Sequence, residues 1–366
     1  MPTIIFLLDS ISQPRCIKRI KSFIDNGFEI VVYGYDREKY NANATIGDQQ
    51  IQIIGNRFDG KNYFSKLINT QKDIQKIVKK HNSKDTVFYS FGFLLTLSLR
   101  INGCRNYIYE ISDILYGYKN FTYVRFFFKK IDQFLIKNSL ITVLTSDGFG
   151  SYLYKTKLPS KVLVQPNRLS SYFIDRNRKS SNEIRIEKLV FAFIGAFRSP
   201  NTIFRFSEII GKIYPQHEFH FYGDSFLTQE VLKICKKYTN VKYFGPFKSP
   251  EDLESIYREI DIVVACYDTQ ELNERILEPN KLYEALYFKK PIIVSQQTSL
   301  AEKVKRLGYG FAIDASSDKS ITTFLTNLSS KDLEDVVRNI HKVPISEIVD
   351  DNSSNIIKMI NDTMSN

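Results

Sequence analysis

Short runs of consecutive apolar residues alternate along this chain with longer stretches in which apolar residues recur every three or four positions. That rhythm predicts strands and helices in turn. Thr3-Ile-Ile-Phe-Leu-Leu8 reads as a buried strand, and Cys16 to Asn26 places Ile17, Ile20, Phe23 and Ile24 at helical spacing before Gly27 closes the helix. Phe28 to Tyr33 is the next strand, followed by strands over Gln50 to Ile54, Thr86 to Tyr89, Tyr107 to Glu110 and Ile141 to Leu144. A lysine-bearing helix over Tyr63 to Lys80 and a long helix ahead of Ile141 lie between them. Continuous apolar strands separated by helices predict an α/β domain with a doubly wound parallel sheet.

Between Val162 and Lys188 the rhythm loosens: Pro166-Asn167-Arg168, Ser170-Ser171 and Asp175 to Asn182 are polar and turn-rich. It then restarts. Leu189 to Ile194 is an apolar strand ending at Gly195, Thr202 to Tyr214 a helix, Glu218 to Tyr222 a strand ending at Gly223, and Thr228 to Tyr238 a helix. Val241 to Phe244, Ile262 to Ala265 and Pro291 to Val294 continue the series. The expected organisation is an N-terminal Rossmann-like domain over residues 1–168, a linker over 169–188, a second Rossmann-like domain over 189–330, and a helical segment over 331–366. The closing helix has Ile356, Ile357 and Ile360 on one face, and the terminal segment is expected to pack back toward the first domain. Two such domains predict a central cleft where the carboxyl ends of parallel strands meet.

Composition supports two folded domains. With 366 residues, 43% of them hydrophobic and 25% charged, the chain is neither disordered, collagenous nor a coiled coil. The net charge of +11 is unevenly placed: residues 1–180 hold 28 Lys and Arg against 14 Asp and Glu, and the remainder 23 against 26. A bias of the genome would colour both halves alike. The first half is therefore expected to face something anionic, lipid head groups or nucleic acid. Cys16, Cys104, Cys235 and Cys266 stand at least 31 residues apart, too far for a metal or redox pair, which predicts free thiols in a reducing compartment. The opening residues lack the charged start and long apolar run of an export signal, and the longest uncharged stretch, Thr86 to Leu99, is too short to span a bilayer. A cytoplasmic location follows, with any membrane contact peripheral, at the inner face.

Several chemistries lose their support. His217 and His220 have no carboxylate or cysteine at ligand spacing, and G-x-S-x-G, the P-loop and G-x-G-x-x-G after the first strand are all missing. No two aspartates stand two apart, so the D-x-D that would hold a divalent metal on a diphosphate is absent, and neither metal nor cofactor is expected. A bound diphosphate would have to be held by cationic side chains and a helix N-terminus.

The strongest candidate for such a site is Leu277-Glu-Pro-Asn-Lys-Leu-Tyr-Glu-Ala-Leu286 followed by Lys289-Lys-Pro-Ile-Ile-Val294. Pro279 suits a first helical turn, leaving backbone N–H groups to face an anion, and Lys281 adds a positive charge beside them. Glu284 lies one turn on, in reach of a ribose. This string resembles the nucleotide-sugar site of GT-B glycosyltransferases, in particular retaining family 4 enzymes of bacterial polysaccharide assembly. Phe193-Ile-Gly-Ala-Phe-Arg198 resembles their first donor-domain strand and glycine turn, Phe221-Tyr-Gly-Asp224 the strand end beside the nucleotide, and Asn240 to Pro246 the strand and loop near the base. Tyr257 and Asp261 to Ala265 resemble the helix and strand ahead of the signature, and Tyr109 to Asp113 and Leu144 to Ser146 the acceptor-domain strand ends.

The resemblance covers roughly residues 1 to 330 and implies a retaining, metal-independent transfer of a sugar from a nucleotide diphosphate, UDP ahead of GDP, to a glycan or lipid-linked acceptor. It assigns the donor to Gly195, Arg198, Gly223, Phe244, Pro246, Pro279, Asn280, Lys281, Leu282 and Glu284. Arg198 and Lys281 would neutralise charge on the leaving diphosphate. Glu110 and Asp113, near a strand end, are candidates to orient an acceptor hydroxyl. Arg15, in the region where the family often has a glycine-rich loop, is a candidate for a phosphate or an anionic acceptor. Many family members place two glutamates eight apart; counting back from Glu284 reaches Ile276, flanked by Glu274 and Glu278.

Tyr116 to Lys137 mixes aromatics with cations, and Tyr63 to Lys80 carries Lys66, Lys72, Lys76, Lys79 and Lys80. Half of those aromatics must be core, yet the remainder suit a helix lying on an anionic membrane surface that presents a lipid-linked acceptor. Two alternatives stay open: a nucleotide-sugar epimerase of the same architecture, and a non-enzymatic basic module gripping anionic lipid or nucleic acid. No ribonucleoprotein signature is present, so nucleic acid is not expected as a partner.

Overall fold

The computed structural model describes residues 1–37, 45–56, 63–81, 83–118, 122–154, 157–174, 185–350 and 353–364. Residues 175–184 of the expected linker, residues 119–121 of the aromatic stretch and the side chain of Lys66 lie outside the described residues. The chain divides into two compact units, Met1–Asn167 with Asp351–Asn366, and Arg168–Asp350.

The first unit is built on eight strands: β1 (Thr3–Leu8), β2 (Ile30–Asp36), β3 (Thr45–Ile46), β4 (Gln49–Asn56), β5 (Thr86–Phe91), β6 (Tyr107–Ile111), β7 (Ile141–Leu144) and β8 (Val162–Val164). They run in the order β3-β4-β2-β1-β5-β6-β7-β8, parallel except where β3 turns back antiparallel on β4. All six residues of β5 are buried, as a strand covered on both faces requires. Four helices recur below: α1 (Pro14–Asp25), α2 (Tyr63–Lys80), α3 (Phe93–Ile101) and α4 (Thr122–Asn138). The apolar face foreseen on α1 buries Ile20 and Phe23 in a core with Ile4, Phe6 and Tyr89. Gly27 ends that helix region with φ +78°, a conformation glycine adopts at no steric cost.

The second unit has six parallel strands, β9 (Val190–Ile194), β10 (Glu218–Tyr222), β11 (Val241–Tyr243), β12 (Ile262–Ala265), β13 (Ile292–Ser295) and β14 (Gly310–Ile313), in the order β11-β10-β9-β12-β13-β14. This is a doubly wound order with its switch between the paired strands β9 and β12, the place where connections leaving in opposite directions favour a ligand crevice at the carboxyl ends. The fold class expected from the sequence, two Rossmann-like parallel-sheet domains, is the one observed.

The boundaries need correction at two places. Leu169 forms a parallel bridge with Val349, and Phe173 is buried 4.8 Å from the Tyr287 ring, so the first residues of the expected linker are core of the second unit. Residues 331–350 also stay there. A capping box between Ser329 and Asp332 starts a helix over Ser330–His341 whose Leu333, Val336 and Ile340 are buried in the second unit's core. Only the last helix, Ser354–Met364, belongs to the first unit, burying Ile356, Ile357 and Ile360 against its sheet. The expected return of the whole terminal segment therefore holds for its final helix alone. The edge strands β8 and β14 fall where no strand was foreseen, because short, half-buried edges lack the continuous apolar run that announces a central strand. All four cysteines are free, and burial pushes the Cys16 thiol up to about 12.

Candidate functional site

Three parallel strands of the second unit end side by side. The Gly195 N–H, just past β9, donates to the Tyr222 carbonyl at 2.7 Å, and the Gly223 N–H, just past β10, donates to the Gly245 carbonyl at 2.7 Å. Both glycines have left-handed φ values, +126° and +127°. A β-carbon on Gly223 would lie 2.2 Å from the Gly195 carbonyl oxygen, which no side chain permits. On Gly195 it would lie 3.0 Å from the Lys281 Nζ. The absence of side chains at these turns keeps the carboxyl end of β9 open beside a lysine.

Lys281 comes from the helix Asn280–Tyr287, and Pro279 is the residue before its first turn rather than within it, a shift of one position from the sequence reading. Pro279 lacks an N–H to lose, and its extended backbone aims the chain into the helix. Leu282, Ala285 and Leu286 of this helix are buried in the sheet core, while Lys281 and Glu284, one turn apart, sit half-buried. The Lys281 ammonium donates to the Tyr267 hydroxyl at 3.1 Å and lies 4.5 Å from the centre of the Phe193 ring. Among the described residues no carboxylate stands within ion-pair distance of it. A half-buried ammonium set against a phenol and aromatic faces, with no carboxylate in direct contact, can still attract an added anion.

Glu284 accepts a hydrogen bond from the Tyr257 hydroxyl at 2.8 Å. Burial raises its carboxyl above the usual carboxylate range, opposed by the Lys281 charge and by that hydrogen bond. Tyr257 is fully buried and stacks on Phe288 at 4.5 Å, so it holds Glu284 from a rigid base. Arg198 is exposed after β9 and makes no ion pair among the described residues. Phe244, 52% exposed just past β11, stacks on Tyr222 at 4.7 Å and lies 4.9 Å from the His220 ring, with exposed Pro246 beyond it. Gly195, Arg198, Gly223, Phe244, Pro246, Pro279, Asn280, Lys281 and Glu284 thus all lie on the loops and the helix at the carboxyl side of one sheet. Leu282 is the exception, corrected to a core residue: it is 0% exposed and its side chain can touch no ligand.

Neither acid flanking Ile276 takes an open position equivalent to Glu284. Glu278 is bound by the Lys303 ammonium at 2.9 Å through both oxygens and also accepts from Tyr283. Glu274 lies in the short helix Leu272–Ile276 and is half-buried.

In the first unit the two candidate carboxylates separate. Glu110 lies inside β6 and is 0% exposed; Arg19, 1% exposed, reaches it at 3.2 Å, Tyr89 donates to it, and the Arg15 Nε stands 3.0 Å away without hydrogen-bond alignment. Arg19 also donates to Ser353 at 2.7 Å, tying the closing helix to the sheet. Glu110 is therefore corrected from an acceptor-facing acid to the centre of a buried charge network, and Arg15 from an anion contact to a member of it. The reason is geometric: alternate strand residues point to opposite faces, and position 110 points beneath α1. Asp113, two residues past β6, is exposed.

Tyr267 and the role of Tyr257 were missed by sequence reasoning. Their one signal was position, Tyr257 in a helix ahead of β12 and Tyr267 two residues after it. Among the described residues no group of three or more His, Cys, Asp or Glu could hold a metal ion.

Residues 188–330 match the family model described as Glycosyl transferases group 1. No curated protein matches the chain. Among solved structures, a glycosyltransferase from Rickettsia africae is similar at 15% identity over 100% of this chain and 99% of its own, with a TM-score of 0.69. HepE of Anabaena, solved with UDP and glucose, is similar at 13% identity over 99% and 100%, with a TM-score of 0.69. WaaG, a glycosyltransferase involved in lipopolysaccharide biosynthesis, is similar at 13% identity over 94% and 97%, with a TM-score of 0.64.

Proposed function

We propose that this chain, a GT-B protein carrying a group 1 glycosyltransferase domain over residues 188–330, transfers a sugar from a UDP-sugar to a glycan or lipid-linked acceptor in cell-surface polysaccharide assembly. The observation that carries the reading is Lys281, a half-buried cation with no carboxylate within ion-pair distance among the described residues, set against a glycine turn at the carboxyl end of β9. The amide N–H groups opening its helix and the exposed Arg198 add positive potential on the same side. A nucleoside diphosphate matches this chemistry: phosphates toward Lys281 and Arg198, ribose hydroxyls donating to Glu284, and the base near the half-exposed Phe244. HepE, bound to UDP and glucose, supports UDP as the nucleotide.

In the transfer, the bond between the anomeric carbon and the diphosphate oxygen breaks, negative charge grows on that oxygen, and the acceptor oxygen bonds to the anomeric carbon as its proton passes to the departing diphosphate. Lys281 and Arg198 stabilise this charge, and a drier site makes their effect larger. We read the reaction as retaining and metal-independent, and keep Asp113, exposed past β6, as the first-unit candidate to orient an acceptor hydroxyl. The basic first half suits work at the anionic inner face of the cell membrane, by a cytoplasmic protein.

The test is thermal unfolding with UDP, GDP and UMP in EDTA, for the wild type and Glu284→Ala. A ligand at a hundredfold excess over its Kd stabilises the folded state by about 2.7 kcal/mol. UDP is expected to raise Tm most, the rise shrinking in Glu284→Ala; no rise with any nucleotide removes the donor-site reading. Once a donor sugar is found, the anomeric configuration of the product by NMR decides between retention and inversion.

A further inference from the structure

We infer that α4 of the first unit docks on an anionic lipid bilayer through an outward stripe of aromatic side chains. The inference gives residues to the membrane contact in the functional reading above. Tyr123 is 90% exposed, Phe126 62%, Phe127 63% and Phe134 50%. Their spacing of three, one and seven places all four on one helical face, with Lys130 exposed among them and Lys137 one turn beyond Phe134. Ile101, 61% exposed at the end of the neighbouring α3, extends the apolar area, and Arg100 lies 5.6 Å from the centre of the Phe134 ring.

The buried side of the same helix shows that this arrangement is not core sequence left outside by chance. There α4 turns Leu135 and Ile136 inward together with an acid, Asp132, which is 1% exposed and accepts from the Tyr109 and Tyr116 hydroxyls at 2.6 and 2.8 Å. A helix that buries an aspartate while exposing four aromatics reverses the usual distribution, and a contiguous exposed apolar stripe marks an interaction surface. Tyr and Phe on one face with lysines beside them suit the boundary between head groups and acyl chains. Charge selects among possible occupants: the half of the chain bearing this helix has twice as many basic as acidic residues, 28 against 14, which favours an anionic bilayer over a second copy of the same basic unit. Among the described residues no helix is long and apolar enough to cross a membrane, so the contact is peripheral.

The chain contains no tryptophan, so Phe127→Trp supplies a single fluorescent reporter at the stripe, with Phe226→Trp, at a residue 84% exposed in the second unit, as control. Both proteins are mixed with vesicles of phosphatidylcholine alone or with about one third phosphatidylglycerol, and vesicle co-sedimentation is measured in parallel for wild type, Phe126→Ser/Phe127→Ser and Lys130→Ala. The expected result is a blue shift of emission for Phe127→Trp, on anionic vesicles only, with no shift for Phe226→Trp. The double variant should bind at least about tenfold more weakly and Lys130→Ala about fivefold more weakly. Absence of a shift, or equal binding to neutral and anionic vesicles, overturns the proposal. So does self-association by light scattering that the double variant abolishes, which assigns the stripe to a second copy. The rise of Tm with UDP, read on the same variants, should be unchanged. If vesicle binding fails while that rise persists, only the docking inference falls; if the rise fails in the wild type, the donor reading falls separately.

Discussion

The Lys281 ammonium stands 3.0 Å from the place a β-carbon would take on Gly195, at the turn that ends β9. Gly195→Ala must therefore move the lysine as well as strain a backbone at φ +126°. We expect a loss of about 1–3 kcal/mol of stability and a greatly reduced rise of Tm with UDP. Gly223→Ala meets a backbone oxygen at 2.2 Å, which cannot swing aside as a lysine can, so its melting temperature should fall further. Thermal melts with and without UDP separate the two effects.

Tyr257→Phe removes the hydroxyl that helps keep Glu284 ionised. The Glu284 carboxyl already lies above its usual range through burial, so it loses its charge, and with it the best acceptor for ribose hydroxyls, as pH falls through that raised value. In Tyr257→Phe this loss should begin at higher pH, with UDP bound about fivefold to tenfold more weakly at neutral pH. Calorimetric titration of UDP across an acid pH series checks both statements.

Asp132 supplies a stability term of definite sign. Burial pushes its carboxyl up to about 6, against the two tyrosine hydroxyls that hold it down. Because the folded value exceeds the unfolded one, the folded state prefers the proton: the contribution is complete below the ordinary carboxylate pKa and is lost as pH rises through about 6. The wild type should lose about 3 kcal/mol across that window relative to Asp132→Asn. Urea melts of both proteins at several pH values in that window measure the difference in slope.

Glu110 and Asp113 should behave in opposite ways. Glu110→Ala leaves Arg19 buried without its countercharge and should cost about 3–5 kcal/mol, seen as a fall in denaturant midpoint. Asp113→Asn, at an exposed position, should cost far less, about 1 kcal/mol at most. If Asp113 orients the acceptor, kcat should nevertheless fall by about a hundredfold or more. Equal loss of stability in both variants would contradict the burial difference between them.

The two parallel sheets, the glycine turns at 195 and 223, and the helix bearing Lys281 and Glu284 were legible because each depends on local order. An apolar run makes a central strand, a glycine after it permits a left-handed turn, and a proline before a helix fits its start. Spacing also placed the closing isoleucines on one face. By contrast, the alternation that marked Glu110 as lying near a strand end did not tell which face of the sheet it occupied. Nor did the mixed aromatics of α4 reveal how many were core.

What the sequence determined by itself, then, was the order of elements and the chemical character of the donor loops. The tertiary structure alone decided partners between residues distant in the chain. Arg19, Glu110 and Ser353 meet although the chain runs through a second unit before returning, and Tyr257 reaches Glu284 from a separate helix. The physical reason is that periodicity reports how much apolar surface a segment must bury, whereas the partner of a buried charge is set by which elements pack over it. That packing made Glu110 structural, kept every carboxylate of the described residues beyond ion-pair distance of Lys281, and turned the aromatic face of α4 to the outside.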